Sequence, residues 1–465
     1  MSSYFYNLNK TLKKINHNYL YNLPLIFKRA TTIDKDPEKK ISFNFFKKDI
    51  LIENKKKLKK SEIIIISHYI GQNKKSVINN DPYYGDLFNT LNKMKKKFSV
   101  IFINHTKRSL YEIYEEYKNT NYSKIFVDNQ FSIKKDILIL GNIMINYIYF
   151  KIILLNKKLN KKNLEFVKKN FSFFNFLKAR STLRLIGYLN KVLDINESNI
   201  KYLLTTMEGH AFEKIIFKKF YLKNVITIGY YFSVLRKKPN NIFYINDKKF
   251  CPKEIFVSGK TIQNYFKKNY HDKKIKIKIF GSNKKIKLKS FSKNSIIKKK
   301  YLCMVAAEGI YSENYILMNF VINNIDYLEN IEFLFRFHPI VNKQKILNLF
   351  SEHKNIKKIR VSTNNNIIDD FKKCDFVLYR GSSVCIEAAL NSVMPIYLND
   401  EKENIDPIYE VNKFQIKNYK NLNSIVKQFK NKNNLKNNLK YLSNLQSYCK
   451  NYYSKIPNKN LFNFF

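Results

Sequence analysis

Short, continuous apolar runs of strand length recur along this chain at intervals filled by helix-length segments, and no other feature restricts its fold as strongly. Glu62–Ile66 comes first, followed by Val100–Ile103, Ile125–Val127, Tyr202–Leu204, Val225–Ile228, Glu254–Val257 and Ile275–Phe280. Runs without polar alternation belong to strands covered on both faces, and strands alternating with helices build parallel sheets. From Lys285 to Lys300 the apolar signal gives way to Lys and Ser; a second set then begins with Tyr301–Ala306, Ile331–Phe335, Lys357–Val361, Asp375–Leu378 and Met394–Leu398. At 465 residues the chain is also too long for one ordinary core. The pattern predicts an α/β fold of two doubly wound, Rossmann-like domains facing a cleft. Its expected divisions are a poorly patterned arm over 1–60, a first α/β domain over 61–284, a linker over 285–300, and a second α/β domain with C-terminal helices over 301–465. Ligands in such sheets bind outside the carboxyl ends of the strands.

The formal charge of +50 invites a nucleic-acid reading, yet only eight of the 86 basic residues are Arg. Lys, Asn, Ile, Phe and Tyr dominate, and all are encoded by A/T-rich codons, so an A/T-rich genome explains much of the basicity without a partner. A protein that reads bases would lean on the planar Arg fork. That argues against a specific nucleic-acid partner. It leaves Lys-rich surfaces such as Lys55–Lys60 or Lys284–Lys300 to meet an anionic membrane or an anionic acceptor. Gly, Pro, Ala and Arg, which such a genome disfavours, persist where geometry or chemistry needs them.

Five widely spaced cysteines without a CxxC pair point to a reducing compartment and against a zinc site, so no metal is expected. Met1–Lys13 lacks an apolar signal core, and the run Ile137–Leu155 is interrupted by Asn142, Asn146 and Lys151. A buried helix is expected there in place of a membrane span. The expected location is the cytoplasm, with contact at the inner face of the cytoplasmic membrane. No GxGxxG, P-loop or HExxH occurs, which counts against dinucleotide redox enzymes, P-loop NTPases and zinc proteases.

The richest stretch lies in the second half. The strand Asp375–Tyr379 runs into Arg380-Gly381-Ser382-Ser383, and a helix carrying Glu387 follows. Such a turn aims backbone N–H groups and two hydroxyls at one spot, the geometry that holds a phosphate, although Ser is also an ordinary helix cap. Arg336 and His338, before Pro339, end another strand and offer the same anion positive charge and a proton. Ala307-Glu308-Gly309 follows the first strand of this half; Gly309 joins the same group. In the first half, Glu208-Gly209-His210 and Glu213 open a helix, either capping it or serving as a base for a hydroxyl. Tyr84 and Gly85 lie in an aromatic loop that could receive an acceptor, and His68 and His105 end strands facing the cleft.

The His338-Pro339 and Ser382-Ser383 pairs, with Ser362-Thr363 between them and Glu208-Gly209 upstream, resemble motifs of two-domain, GT-B-like glycosyltransferases of bacterial sialyl, polysialyl and Kdo transfer. CDP-glycerol phosphotransferases share parts of the pattern. With Tyr83-Tyr84-Gly85, Ile228-Gly229-Tyr230 and the Glu254–Gly259 strand and turn, residues 60–400 look most like surface-carbohydrate or O-antigen biosynthesis proteins. The resemblance implies transfer of a sugar from a nucleotide-activated donor, preferably CMP-linked, to a surface polysaccharide or lipid-linked glycan. It implies no cofactor and no metal. His338, Ser382 and Ser383 would meet the donor's phosphate, Glu387 the ribose, and Glu208 would be the base. Where that pattern has two acids before its Gly, this chain has Met207 and Glu208. The rival readings are a nucleotide-sugar epimerase or polyol-phosphate transferase on the same architecture, and a non-catalytic assembly protein or Lys-rich nucleic-acid binder.

Overall fold

The computed structural model describes residues 49–71, 81–106, 108–128, 136–141, 144–145, 147–148, 152, 180–237, 241–244, 247–283, 300–338, 341–399 and 404–456. Two sheets organise them. The first contains β1 (Ile50–Ile52), β2 (Ile63–Tyr69), β3 (Phe98–Asn104), β4 (Ser123–Asp128), β5 (Tyr202–Thr206), β6 (Ile226–Tyr231), β7 (Glu254–Val257) and β8 (Lys276–Ile279). The second contains β9 (Tyr301–Ala307), β10 (Ile331–Arg336), β11 (Arg360–Val361), β12 (Phe376–Arg380), β13 (Met394–Leu398) and β14 (Gln415–Ile416).

Their orders are β1-β4-β3-β2-β5-β6-β7-β8 and β11-β10-β9-β12-β13-β14. All pairings are parallel except that of β1 with β4. Apart from the edge strand β1, each sheet starts in its middle, winds outward one way, then returns to wind the other way. This is the doubly wound order, and it creates one crevice per sheet where the winding reverses. Those crevices open between β2 and β5 and between β9 and β12. The central strands are continuous apolar runs because helices cover both faces; β2, β3 and β12 are buried at every residue.

The two halves share a core. One apolar cluster runs from Met207, Tyr231, Val257 and Phe266 through Tyr452 to Ala306, Tyr379 and Ile405. The helix Leu435–Lys450 packs on the helix Val384–Leu390, and the chain then crosses back to the first sheet, where Ser454 N–H donates to the Ser258 carbonyl (2.8 Å).

Two expectations need correction. Residues 1–48 of the arm lie outside the described residues, but Ile50–Ile52 adds an antiparallel edge strand to the first sheet, and Leu58 is buried beneath it. A three-residue strand in a Lys-rich context leaves too short a pattern to read. The expected linker falls outside the described residues except for Lys300. The run Ile137–Leu155 is helical where described, but it is not buried: Ile137, Leu138, Met144, Ile145, Ile148 and Ile152 are all exposed. Its fixed point is Asp136, buried in an ion pair with Arg184 (2.5 Å). No helix among the described residues is long and apolar enough to cross a membrane.

Candidate functional site

Each crevice ends in a turn carrying a carboxylate. In the first half, β5 ends at Thr206 and the chain turns through Met207-Glu208-Gly209-His210 into the helix Ala211–Phe220. Gly209 has φ +84°, a left-handed conformation that other residues adopt only at a cost. The Glu213 carboxylate, 1% exposed, accepts N–H groups from Glu208 (3.0 Å), Gly209 (2.8 Å) and His210 (2.8 Å) and the Thr206 hydroxyl (3.2 Å). An acid here satisfies N–H groups that a helix start leaves unpaired. Glu213, expected among the catalytic residues, therefore anchors the turn. Glu208 is the acid this turn presents to the cleft: its Oε2 lies 3.2 Å from His210 Nε2, and its Oε1 accepts the Ser233 hydroxyl. Met207, 3% exposed, packs so closely on β6 that a Cβ on Gly229 would meet its sulfur at 2.7 Å. A second acid there would be buried in apolar core, which explains the Met.

In the second half, β12 ends at Arg380 and the chain passes through Gly381 (φ +62°), Ser382 and Ser383 into the helix Val384–Leu390. The Ser382 hydroxyl accepts the Val384 N–H (3.3 Å), and Ser383 is the helix's N-cap residue without a side-chain cap bond. Glu387 lies half-buried in the first turn. Glu308, the first residue past β9, leans over this loop: its Oε1 stands 2.6 Å from where a Gly381 Cβ would be. Its Oε2 accepts a hydrogen bond from Arg236 Nη2 at 3.1 Å, across the cleft from the loop after β6. Burial, opposed by Arg236, pushes the Glu308 carboxyl up to about 7, with Glu313 and Glu208 adding like charge and Arg380 opposing them.

Other candidates are placed elsewhere. Arg336 is committed to its own domain: Nη1 donates to Asp370 (2.5 Å), Ser362 (3.3 Å) and the Asn364 carbonyl (2.9 Å), and Nη2 to the Asn365 carbonyl (3.2 Å). Arg380, 2% exposed, is locked on Glu313 (2.6 Å) and the Leu398 carbonyl (2.9 Å). Both guanidinium groups brace loops at the carboxyl edge. Tyr84 is fully buried, its hydroxyl donating to the Ile66 carbonyl (3.1 Å), and Gly85 (φ +59°) closes a buried turn with Asp81. Neither faces an acceptor. Gly309 lies in the loop after Glu308. His338 is exposed beyond β10, on the same edge as Gly381 but on the far side of β9. Two strand spacings, roughly 10 Å, separate those strands.

A polar chain extends from the first crevice. His68 Nε2 lies 2.9 Å from Thr206 Oγ1, and His68 Nδ1 lies 2.8 Å from His105 Nε2. Thr206 donates its proton to Glu213, so His68 Nε2 must donate to Thr206, and His68 Nδ1 must accept from His105. Burial, with His105 and His210 nearby, holds the His68 pKa well down, so the ring is neutral. Tyr83 and Phe212 pack edge-on against it, and Phe232 packs on Tyr83. Sequence reasoning noticed these histidines singly and missed Ser233 and Arg236; a scarce Arg just past a strand was the available signal.

No family model matches the chain, and no curated protein matches it. Among solved structures, Acinetobacter baumannii MurG is 9% identical, with 87% of this chain and 98% of that one covered at a TM-score of 0.48. A glycosyltransferase from Rickettsia africae is 12% identical (85% and 94% covered, TM-score 0.43). The UDP-GlcNAc 2-epimerase from Neisseria meningitidis bound to UDP-GlcNAc is also 12% identical (86% and 98%, TM-score 0.41). At these scores the likeness decides nothing about chemistry.

Proposed function

We propose that the protein is a glycosyltransferase that moves a sugar from a nucleotide-activated donor to a hydroxyl of a surface glycan or lipid-linked acceptor. One observation carries the reading: the loop after β6 meets both crevices, Ser233 bonding Glu208 in the turn of one half and Arg236 bonding Glu308, which leans on Gly381, in the other. In this mechanism Glu208 takes the acceptor's proton as its oxygen attacks the anomeric carbon. The bond from that carbon to the donor's phosphate oxygen breaks, and the phosphate keeps the electron pair. The Gly381-Ser382-Ser383 loop holds that phosphate, and Glu387 receives the ribose. His338, two strands further along the edge, meets a different group of the same donor. Catalysis then rests on positioning and charge stabilisation. A CMP-linked donor is the first candidate.

The test is incubation with a panel of nucleotide-sugars and glycan acceptors, followed by product analysis. Free nucleotide together with an extended acceptor is the expected result. An isomerised nucleotide-sugar without any acceptor would replace this reading with an epimerase, and an acceptor carrying a phosphodiester would replace it with a polyol-phosphate transferase. Ser382→Ala with Ser383→Ala should weaken binding of the cognate nucleotide. Each hydrogen bond to a charged group contributes on the order of 1.5–3 kcal/mol. Calorimetric affinity within about twofold of wild type would remove the serines from the phosphate site.

Lipid-linked acceptors require approach to a membrane. The exposed row Ile137, Leu138, Met144, Ile145, Ile148 and Ile152 supports such contact, with Lys134, Lys135 and Lys151 close in sequence to attract anionic headgroups. Phosphatidylglycerol vesicles should sediment the wild-type protein, and Ile145→Asp with Ile148→Asp should release most of it. Equal sedimentation of both proteins would reject this surface.

A further inference from the structure

The ion pair between Arg236 and Glu308 stands against the Gly381 loop, the loop proposed to hold the donor's phosphate. Glu308 Oε1 is within van der Waals reach of the Gly381 backbone, and its Oε2 takes the Arg236 proton at 3.1 Å. A phosphate in that loop would therefore sit beside a carboxylate, an arrangement that unit charges a few ångströms apart do not tolerate without compensation. The compensation is already present. Arg236 is half-buried, with five N–H donors in a planar fork suited to phosphate; among the described residues Glu308 is its one hydrogen-bond acceptor. The other charges facing Glu308 are committed or of the wrong sign. Arg380 is locked on Glu313 and Leu398, and Glu208 and Glu313 are themselves acids.

We infer that Arg236 is the first half's ligand for the donor phosphate, held in reserve by Glu308 and exchanged from that carboxylate to the phosphate when a nucleotide enters. This rests on the nucleotide reading of the Gly381 loop. It adds that the phosphate is gripped from both halves, so donor binding clasps the cleft. Glu308 then loses its cation beside a new anion and takes up a proton, a change made easy by a carboxyl already raised to about 7. Nucleotide affinity should accordingly fall as the pH rises through about 7, where Glu308 is charged and competes for Arg236.

The experiment is titration calorimetry of the full chain with CMP and UDP, and with cytidine and uridine as phosphate-free controls. Arg236→Gln should weaken the nucleotide that binds by roughly 10- to 100-fold, the effect of lost hydrogen bonds to a charged group. Nucleoside affinity should change less than about twofold. Arg236→Lys should recover only part of the loss, because an ammonium cannot fork; it decides the matter if the Gln variant fails to fold. Glu308→Gln should bind nucleotide at least as tightly as wild type at pH 8 and abolish the part of the pH dependence centred near 7. Unchanged nucleotide affinity in the folded Arg236 variants overturns the inference while leaving the donor loop standing. An equal loss for nucleoside and nucleotide also overturns it, by showing that Arg236 props the structure. A wild-type protein that binds neither nucleotide overturns the donor reading and this inference together.

Discussion

Glu208→Gln is expected to lower turnover by roughly 10²–10⁴-fold, the range for loss of a positioned base, and to leave nucleotide affinity within about twofold. The substitution keeps the shape and one oxygen that can still accept the Ser233 hydroxyl, so the turn survives. What disappears is an acceptor for the proton of the attacking hydroxyl. Glu213 cannot take over, because its oxygens are occupied by three backbone N–H groups and the Thr206 hydroxyl. Glu213→Gln should behave differently. It places an NH₂ opposite backbone donors, loosens the Glu208 turn, and lowers stability along with activity. Single-turnover rates and melting curves for both variants separate the two roles. A Glu208→Gln enzyme with near wild-type turnover would move the base elsewhere.

The α/β fold of two doubly wound halves was legible because it is written in a pattern that survives compositional bias: β2, β3, β5, β9, β12 and β13 all coincide with apolar runs. Strands of two or three residues at sheet edges, such as β1 and β14, carry too little pattern to stand out. The run after Ile137 misled for a different reason. Apolar composition gives no sign of which neighbour covers it, and six of its described apolar side chains are exposed. At the site, the loops that follow strands were found, but not which of their side chains face outward. The arginines show why. Every described Arg is paired with a carboxylate: Arg108 with Glu116, Arg180 and Arg184 with Asp136, Arg236 with Glu308, Arg336 with Asp370, Arg360 with Glu332 and Arg380 with Glu313. Scarcity in the sequence did flag them as retained for a reason. It could not tell a brace such as Arg380 from a cleft-facing group such as Arg236, because the partners lie 67 and 72 residues away.

Gly259→Ala should damage the protein through the joint between its halves. Gly259 has an extended backbone that any residue can adopt, so its need for glycine comes from space alone: an added Cβ would lie 2.3 Å from the Tyr452 carbonyl oxygen. That contact is backbone, which cannot rotate away. The chain beyond the helix Leu435–Lys450 is held there by Thr261 N–H on the Asn451 carbonyl (3.0 Å) and Ser454 N–H on the Ser258 carbonyl (2.8 Å). The fully buried Tyr452 hydroxyl accepts the Leu235 N–H (2.6 Å) from the first half and faces the Pro407 carbonyl of the second (3.4 Å). Displacing Tyr452 therefore disturbs both halves and leaves the buried Leu235 N–H unpaired, an additional cost of about 1–3 kcal/mol. With overpacking of about 1–3 kcal/mol, the total is a large part of the stability of an ordinary domain. Wild type, with a core shared across the joint, is expected to unfold in one calorimetric transition. Gly259→Ala should split it, the first sheet and the second melting separately because the crossing segment no longer couples them. A single transition at the wild-type temperature would mean that the segment can shift aside, and that the halves are held together by the apolar cluster alone.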